Sequence, residues 1–284
     1  MRAGKIPWRA ALLVPGCAAL LLAACHAGPP GPGAAFSDRF AVVFIDSATE
    51  AKLGAFPLPR AYYAQAIRQA AALHARAVVF KFFFDQPQDG VDDTALANAM
   101  TTLPVALEAR FDDTEAQPNP LPARFQLPIT AVTATAGKSG WIPLPLFADH
   151  AAAIGFVDFD SAKAPLLETY RGQTVKSLLV NCLEMAENHA AEVRPGHDIA
   201  FGAFHLAVDS LNRCSAALPP GDDYSYIPFH RFLSGDVSPD AIRDKVVIIG
   251  YDGPKIHSIA TPRGPLRAHR FFIYILQSIW SDLR

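Results

Sequence analysis

The sequence predicts an α/β fold: a single mixed, mainly parallel sheet flanked by helices, with an apolar helix at the C-terminus. Three observations predict it. Short, wholly apolar runs at 40–45, 77–80 and 246–250 suit strands buried on both faces. The first two enclose a segment of helical spacing, the pattern of a βαβ unit. Hydrophobic residues make up 51% of the 284 and charged ones 18%, enough for a large core. That composition rules out disorder as the main state. A formal net charge of −2 supplies no basic field for a phosphate backbone, so nucleic acid is not an expected partner.

Residues 1–24 are an address and take no part in the fold. Arg2, Lys5 and Arg9 precede an apolar stretch at 10–24 that is too short for a comfortable membrane span. It ends in Leu22-Ala23-Ala24-Cys25, which resembles the bacterial lipobox, where the cysteine thiol is acylated and its amine becomes the new N-terminus. The alternative is an ordinary signal peptide with a chance cysteine. Residues 25–37 are rich in Gly and Pro and suit a tether. Two or three acyl chains on Cys25 would anchor the protein stably, making the membrane its first expected partner. His26, rather than Asp, follows the cysteine, which resembles the sorting pattern for the outer membrane and places the domain in the periplasm.

Cleavage would leave 22 basic and 27 acidic side chains, a net of −5. It would also leave Cys182 and Cys214 in an oxidising compartment, where a bridge closing a loop of about 30 residues would add on the order of 3 kcal/mol. The alternative is two buried free thiols, because Cys182 lies on the apolar stripe Leu178, Leu179, Cys182, Leu183, Met185 and Ala186.

The remaining elements follow from hydrophobic period and punctuation. The first strand, 40–45, stops at Asp46-Ser47. Pro59 suits a helix start, and Tyr62, Tyr63, Ala66, Ile67, Ala70 and Leu73 recur at helical spacing. A second buried run extends from Ala77 to Phe84 and ends at Asp85. Asp92-Asp93-Thr94 caps a short helix through Met100, and 105–111 reads as a third parallel strand. A polar, Pro-rich loop covers 112–128, with strand-like text again at 129–135. Segments 154–159 and 166–170 read as an antiparallel pair, 174–191 as a helix, and 199–208 as a strand broken at Gly202. The terminal segment, 266–283, is apolar but too short to span a bilayer.

Six motifs in register carry a family resemblance: Phe44-Ile45-Asp46; Phe56-Pro57-Leu58-Pro59-Arg60; Ala77-Val78-Val79-Phe80 with Asp85 and Pro87; Asp92-Asp93-Thr94-Ala95-Leu96; Gly155-Phe156-Val157-Asp158-Phe159; and Lys245-Val246-Val247-Ile248-Ile249-Gly250 with Thr261-Pro262. Over residues 38–284 the chain resembles a CHASE2 domain, an extracytoplasmic sensory module of bacteria. It departs from the family pattern at Lys81, where an acid is usual, and again around residues 164–169, 257–258 and 266–270. The resemblance implies a sensory module; with the lipobox-like leader and the missing nucleophile motifs, the expected protein is a non-catalytic lipoprotein that binds an unidentified small ligand or envelope protein. With nothing after Arg284, its signal is expected to pass through a separate chain.

Physical reasoning places a site at the carboxyl ends of the parallel strands. Those ends carry Asp46, Asp85 and Asp252, with Arg60 at the start of the first helix and Lys81 in the second strand; these five are the candidate ligand-binding residues. Each has a plainer alternative: turns or helix caps for Asp46 and Asp85, a structural ion pair for Arg60, a snorkelling position for Lys81. The two readings of Arg60 differ in magnitude. On the pocket reading, Arg60→Gln is expected to cost less than about 2 kcal/mol and to weaken binding of the ligand or partner, whereas removing the buried partner of a carboxylate would cost about 3–5.

Catalytic signatures fail. Gly137-Lys138-Ser139 imitates the end of a phosphate loop, but Val132 stands where its first Gly belongs. There is no nucleophile elbow, and His197 and His205 have no acidic or cysteine ligand at metal spacing. No catalytic residue, metal or cofactor is expected. The alternative function is an envelope hydrolase using the strand-end carboxylates.

Overall fold

The apolar runs form strands because each is walled on both faces. In the computed structural model, residues 34–112, 119–129, 132–159, 163–215, 217–218 and 224–283 are described. The expected signal segment and Cys25 lie outside them. The central sheet holds β1 (Phe40–Ile45), β2 (Ala77–Lys81), β3 (Val105–Asp112), β4 (Ser139–Trp141), β5 (Ala153–Phe156), β6 (Tyr226–Pro228) and β7 (Val246–Tyr251). Its order is β6-β1-β7-β2-β3-β5, all parallel, with β4 antiparallel to the far end of β3.

Among the described residues there are eight helices: α1 (Phe36–Arg39), α2 (Ser47–Leu53), α3 (Arg60–Ala72), α4 (Gly90–Ala99), α5 (Pro145–Ala148), α6 (Leu178–Glu187), α7 (Phe229–Ser234) and α8 (Ala268–Asp282). They cover both faces of the sheet. Alternate strand residues Val43, Ile45, Val78, Phe80, Leu107, Val247 and Ile249 pack in one core with Tyr63 and Ile67 of α3 and Leu96 of α4. The intervening Val42, Phe44, Val79, Ala106, Val246 and Ile248 pack with Leu179 and Leu183 of α6 and Phe272 and Ile275 of α8 in a second core. This period of two on each strand sets which side chains share a face.

The expectation of one sheet is corrected. Among the described residues, outside the central sheet, lie a four-stranded sheet (Gln126–Leu127, Gln173–Lys176, Leu167–Tyr170, Ala136–Gly137), a three-stranded sheet (Glu192–Arg194, Asp198–Phe201, Phe204–Ala207) and two isolated pairs. The expected antiparallel pairing of 154–159 with 166–170 does not form. Ala153–Phe156 instead joins the central sheet beside β3, while Leu167–Tyr170 turns through Arg171 and Gly172, both at positive φ, to pair with Gln173–Lys176. That hairpin delays the helix expected from 174 until Ser177, whose hydroxyl accepts from the Val180 N–H. Asn188, in the left-handed conformation, ends it. The strand expected at 199–208 is a hairpin turning at Gly202, and residues 129 and 132–135 carry no strand. The cap of α4 is Asp89, not Asp92-Asp93-Thr94: its carboxylate accepts from the N–H groups of Val91 and Asp92.

Cys182 and Cys214 are free buried thiols, which corrects the expected bridge. Cys182 packs inside α6, and the Cys214 thiol donates to the carbonyl of Ala164 at 3.7 Å. The terminal apolar helix is α8, docked on the second core. No helix among the described residues is long and apolar enough to cross a membrane.

Candidate ligand cavity

Three charged side chains break the apolar alternation at the carboxyl ends of β2 and β3. Lys81 falls on the face of Val79, and Glu108 and Arg110 fall on the face of Ala106. The register Phe80↔Leu107 sets the next residues, Lys81 and Glu108, side by side. Lys81 Nζ donates to Glu108 Oε1 at 2.5 Å, and both side chains are buried. Burial pushes the Glu108 carboxyl above its ordinary range and the Lys81 ammonium opposes that push. Glu108 Oε2 meets no donor among the described residues. Arg110, two residues on, is half-exposed and lies 3.6 Å from Asp158.

A fourth group arrives from α8, whose first turn is clamped to the end of β7. The Tyr251 N–H donates to His269 Nδ1 at 2.9 Å. Arg270 donates to Asp252 Oδ2 through Nε at 2.9 Å and Nη2 at 2.7 Å, and Arg267 Nη1 donates to the Asp252 carbonyl. At Gly250 a Cβ would sit 3.0 Å from the Phe44 ring, a tight contact, and at an ordinary contact distance of 3.5 Å from His269 Cβ. Because Nδ1 accepts, the proton of His269 rests on Nε2. Burial, and then Lys81, hold this imidazole well below its ordinary pKa, so it is a neutral donor.

These groups line a cavity of about 490 Å³. Its polar lining is Lys81, Glu108, Arg110, His257 and His269; Phe83, Trp141, Phe159 and Phe271 give it aromatic walls. Phe83 meets Trp141 edge to face at 4.8 Å, Phe159 meets Phe271 at 5.1 Å, and the Arg110 guanidinium lies 6.0 Å from the Trp141 ring. Behind Arg110, Asp158 accepts from the Phe111 N–H at 3.2 Å. Its neighbour Glu168 is fully buried and, among the described residues, meets no N–H or O–H donor. Burial, reinforced by the neighbouring Asp158, raises the Glu168 carboxyl well above its ordinary range. Among the described residues, no cluster of His, Cys, Asp or Glu suits a metal ion.

Of the five sequence candidates, Lys81 lines this cavity and the other four do not. Asp46 caps α2, accepting from the Thr49 N–H at 2.8 Å. Asp85 accepts from Gln86 Nε2 at its surface. Arg60 lies on the opposite face of the sheet, buried against Asp93 at 3.3 Å, with its guanidinium 4.4 Å from the Phe84 ring centroid. Asp252 shares the cavity's neighbourhood but spends its carboxylate on clamping α8. Sequence reasoning missed Glu108, Arg110, Trp141, His257 and His269. For the first two a signal existed, since both alternate with Leu107 and Ala109 inside an otherwise apolar strand.

A family model of the CHASE2 domain matches residues 21–281. No curated protein and no solved structure matches the chain.

Proposed function

Because the chain belongs to the CHASE2 family of extracytoplasmic sensory domains, we propose that it senses a small ligand held in the cavity at the ends of β2 and β3. One observation carries this reading: a buried ion pair, Lys81–Glu108, forms part of the lining of an aromatic-walled cavity of about 490 Å³, where an apolar pair would stabilise the sheet as well or better. Binding is its whole task. Among the described residues the lining holds no hydroxyl or thiol nucleophile, and the neutral His269 has its Nδ1 occupied by the backbone. The domain is held at the envelope by acyl chains on Cys25, a reading supported by the lipobox-like Leu22-Ala23-Ala24-Cys25, and in the outer membrane facing the periplasm, a reading supported by His26 after the cysteine.

Thermal denaturation of the full-length protein against a panel of small metabolites tests the reading. A ligand at 100 times its Kd should add about 2.7 kcal/mol to the stability of the folded state. The shift should vanish in the Lys81→Met/Glu108→Met double variant, and the ligand should be recovered chemically unchanged. A stabilising ligand indifferent to that double variant would place the site elsewhere.

A further inference from the structure

The cavity presents complementary groups to two neighbouring parts of one molecule. Among the described residues, its lining carries two fixed cations, Lys81 and Arg110, against one anion, Glu108. Lys81 and Glu108 neutralise each other, so the surplus charge is that of Arg110. Its pairing with Asp158, which is not part of the lining, is long at 3.6 Å, and the Arg110 side chain itself is half-exposed toward the cavity. The guanidinium fork, with five donors, therefore remains open to a second carboxylate. The first residues of α8 form part of the same wall, and the partial positive charge at a helix N-terminus also favours an anion.

Glu108 supplies the second requirement. Its Oε2 is a buried carboxylate oxygen with no donor among the described residues, a situation that leaves its desolvation uncompensated. Glu108 and Arg110 lie two residues apart on one face of one strand, about 6.6 Å along its axis, and their long side chains can close on adjacent groups of a small molecule. Phe83, Trp141, Phe159 and Phe271 then surround whatever those groups are attached to.

Resting on the cavity reading above, we propose that the ligand is a compact carboxylic acid with an apolar or aromatic side chain and a hydrogen-bond donor, ammonium or hydroxyl, on the carbon beside the carboxylate. The carboxylate binds Arg110, the donor satisfies Glu108 Oε2, and the apolar body fills the aromatic walls. An α-amino acid and an α-hydroxy acid share this chemistry.

Calorimetric titration of the full-length protein with four probes separates the parts: L-phenylalanine, L-3-phenyllactate, 3-phenylpropionate and phenethylamine. The first two should bind, 3-phenylpropionate at least tenfold more weakly than the better of them, and phenethylamine not measurably. Preference between the first two identifies the donor as ammonium or hydroxyl. Arg110→Gln, a change at a half-exposed position that should fold normally, should weaken the binding acid at least tenfold. Equal binding of phenethylamine, equal binding of 3-phenylpropionate, or unchanged affinity in Arg110→Gln would overturn the proposal. So would silence from all four probes; if some other compound then binds and loses its binding in Lys81→Met/Glu108→Met, the cavity reading survives and only the ligand class falls. If that compound is indifferent to the double variant, both fall.

Discussion

Arg60→Gln should destabilise the protein by about 3 kcal/mol, the lower end of the range for removing one partner of a buried ion pair. Arg60 and Asp93 are each only 4% exposed. The guanidinium contacts Asp93 Oδ1 through Nε at 3.3 Å, donates from Nη2 to the Gln86 carbonyl at 3.1 Å, and lies over the rings of Phe84 and Phe147. Glutamine keeps neither the charge nor the planar fork, so Asp93 is left as a buried carboxylate with the Gln88 N–H, at 3.0 Å, as its remaining hydrogen bond. Two effects hold the cost near the lower end: that surviving bond, and the position of Asp93 in the first turn of α4, where a helix N-terminus offsets roughly 0.3–1 kcal/mol of anionic cost.

In a chain of this size, about 3 kcal/mol corresponds to a fall in Tm of about 6–12 °C. Urea unfolding followed by circular dichroism measures the free energy, and adding Asp93→Asn to the Arg60→Gln background supplies the internal check. Removing the stranded charge should recover part of the loss, a coupling that independent sites would not show. Ligand affinity should be unchanged, because Arg60 and the cavity occupy opposite faces of the sheet. A loss below about 1 kcal/mol, smaller than a buried-pair penalty allows, would refute the reasoning, as would further destabilisation by Asp93→Asn in that background.

Four further outcomes are expected. Glu168→Gln should stabilise the protein more at pH 7 than at pH 4.5: a carboxyl whose folded pKa is raised contributes stability that is complete below its unfolded pKa and is lost as pH rises toward the folded one, by up to about 1.4 kcal/mol per pH unit. Urea titrations of both proteins at the two pH values check it, and an equal difference at both would sink it. Gly155→Ala should cost roughly 1–3 kcal/mol by thermal denaturation, since a Cβ there would lie 2.4 Å from the Leu178 Cα, which α6 cannot yield without shifting. Cys182 and Cys214 should resist alkylation in the native protein and react after unfolding, because burial raises both thiols, Cys214 to about 12; mass spectrometry of labelled peptides decides. Cys25→Ser should move the protein out of the membrane fraction or leave its leader uncleaved, and unchanged acyl labelling would count against the anchor.

The legible part of this fold is the part whose signal is local. Strands β1, β2 and β7 are buried on both faces, so each shows as an uninterrupted apolar run whatever its neighbours are. The small sheets between residues 126 and 215 have strands of two to four residues, too short for a period to register. Merged with their neighbours, they read as longer helices and strands. Arg171-Gly172 is the turn cue that would have separated Leu167–Tyr170 from Gln173–Lys176.

The site depends on register, which no local window contains. Asp93 reads alone as a helix cap and Arg60 as a strand-end cation, yet they meet across α3 and α4, 33 residues apart. Lys81 carried more information than its own alternatives allowed. A lysine in a strand walled on both faces must escape to water or meet an acid on the same face of an adjacent strand. The βαβ reading already made 105–111 parallel to that strand, and its same-face positions beside Ala106 are Glu108 and Arg110. Requiring charge balance for Lys81 would thus have found Glu108 from the sequence. His269 would still have stayed hidden, because its place at the cavity depends on α8 being clamped to the end of β7 by Asp252.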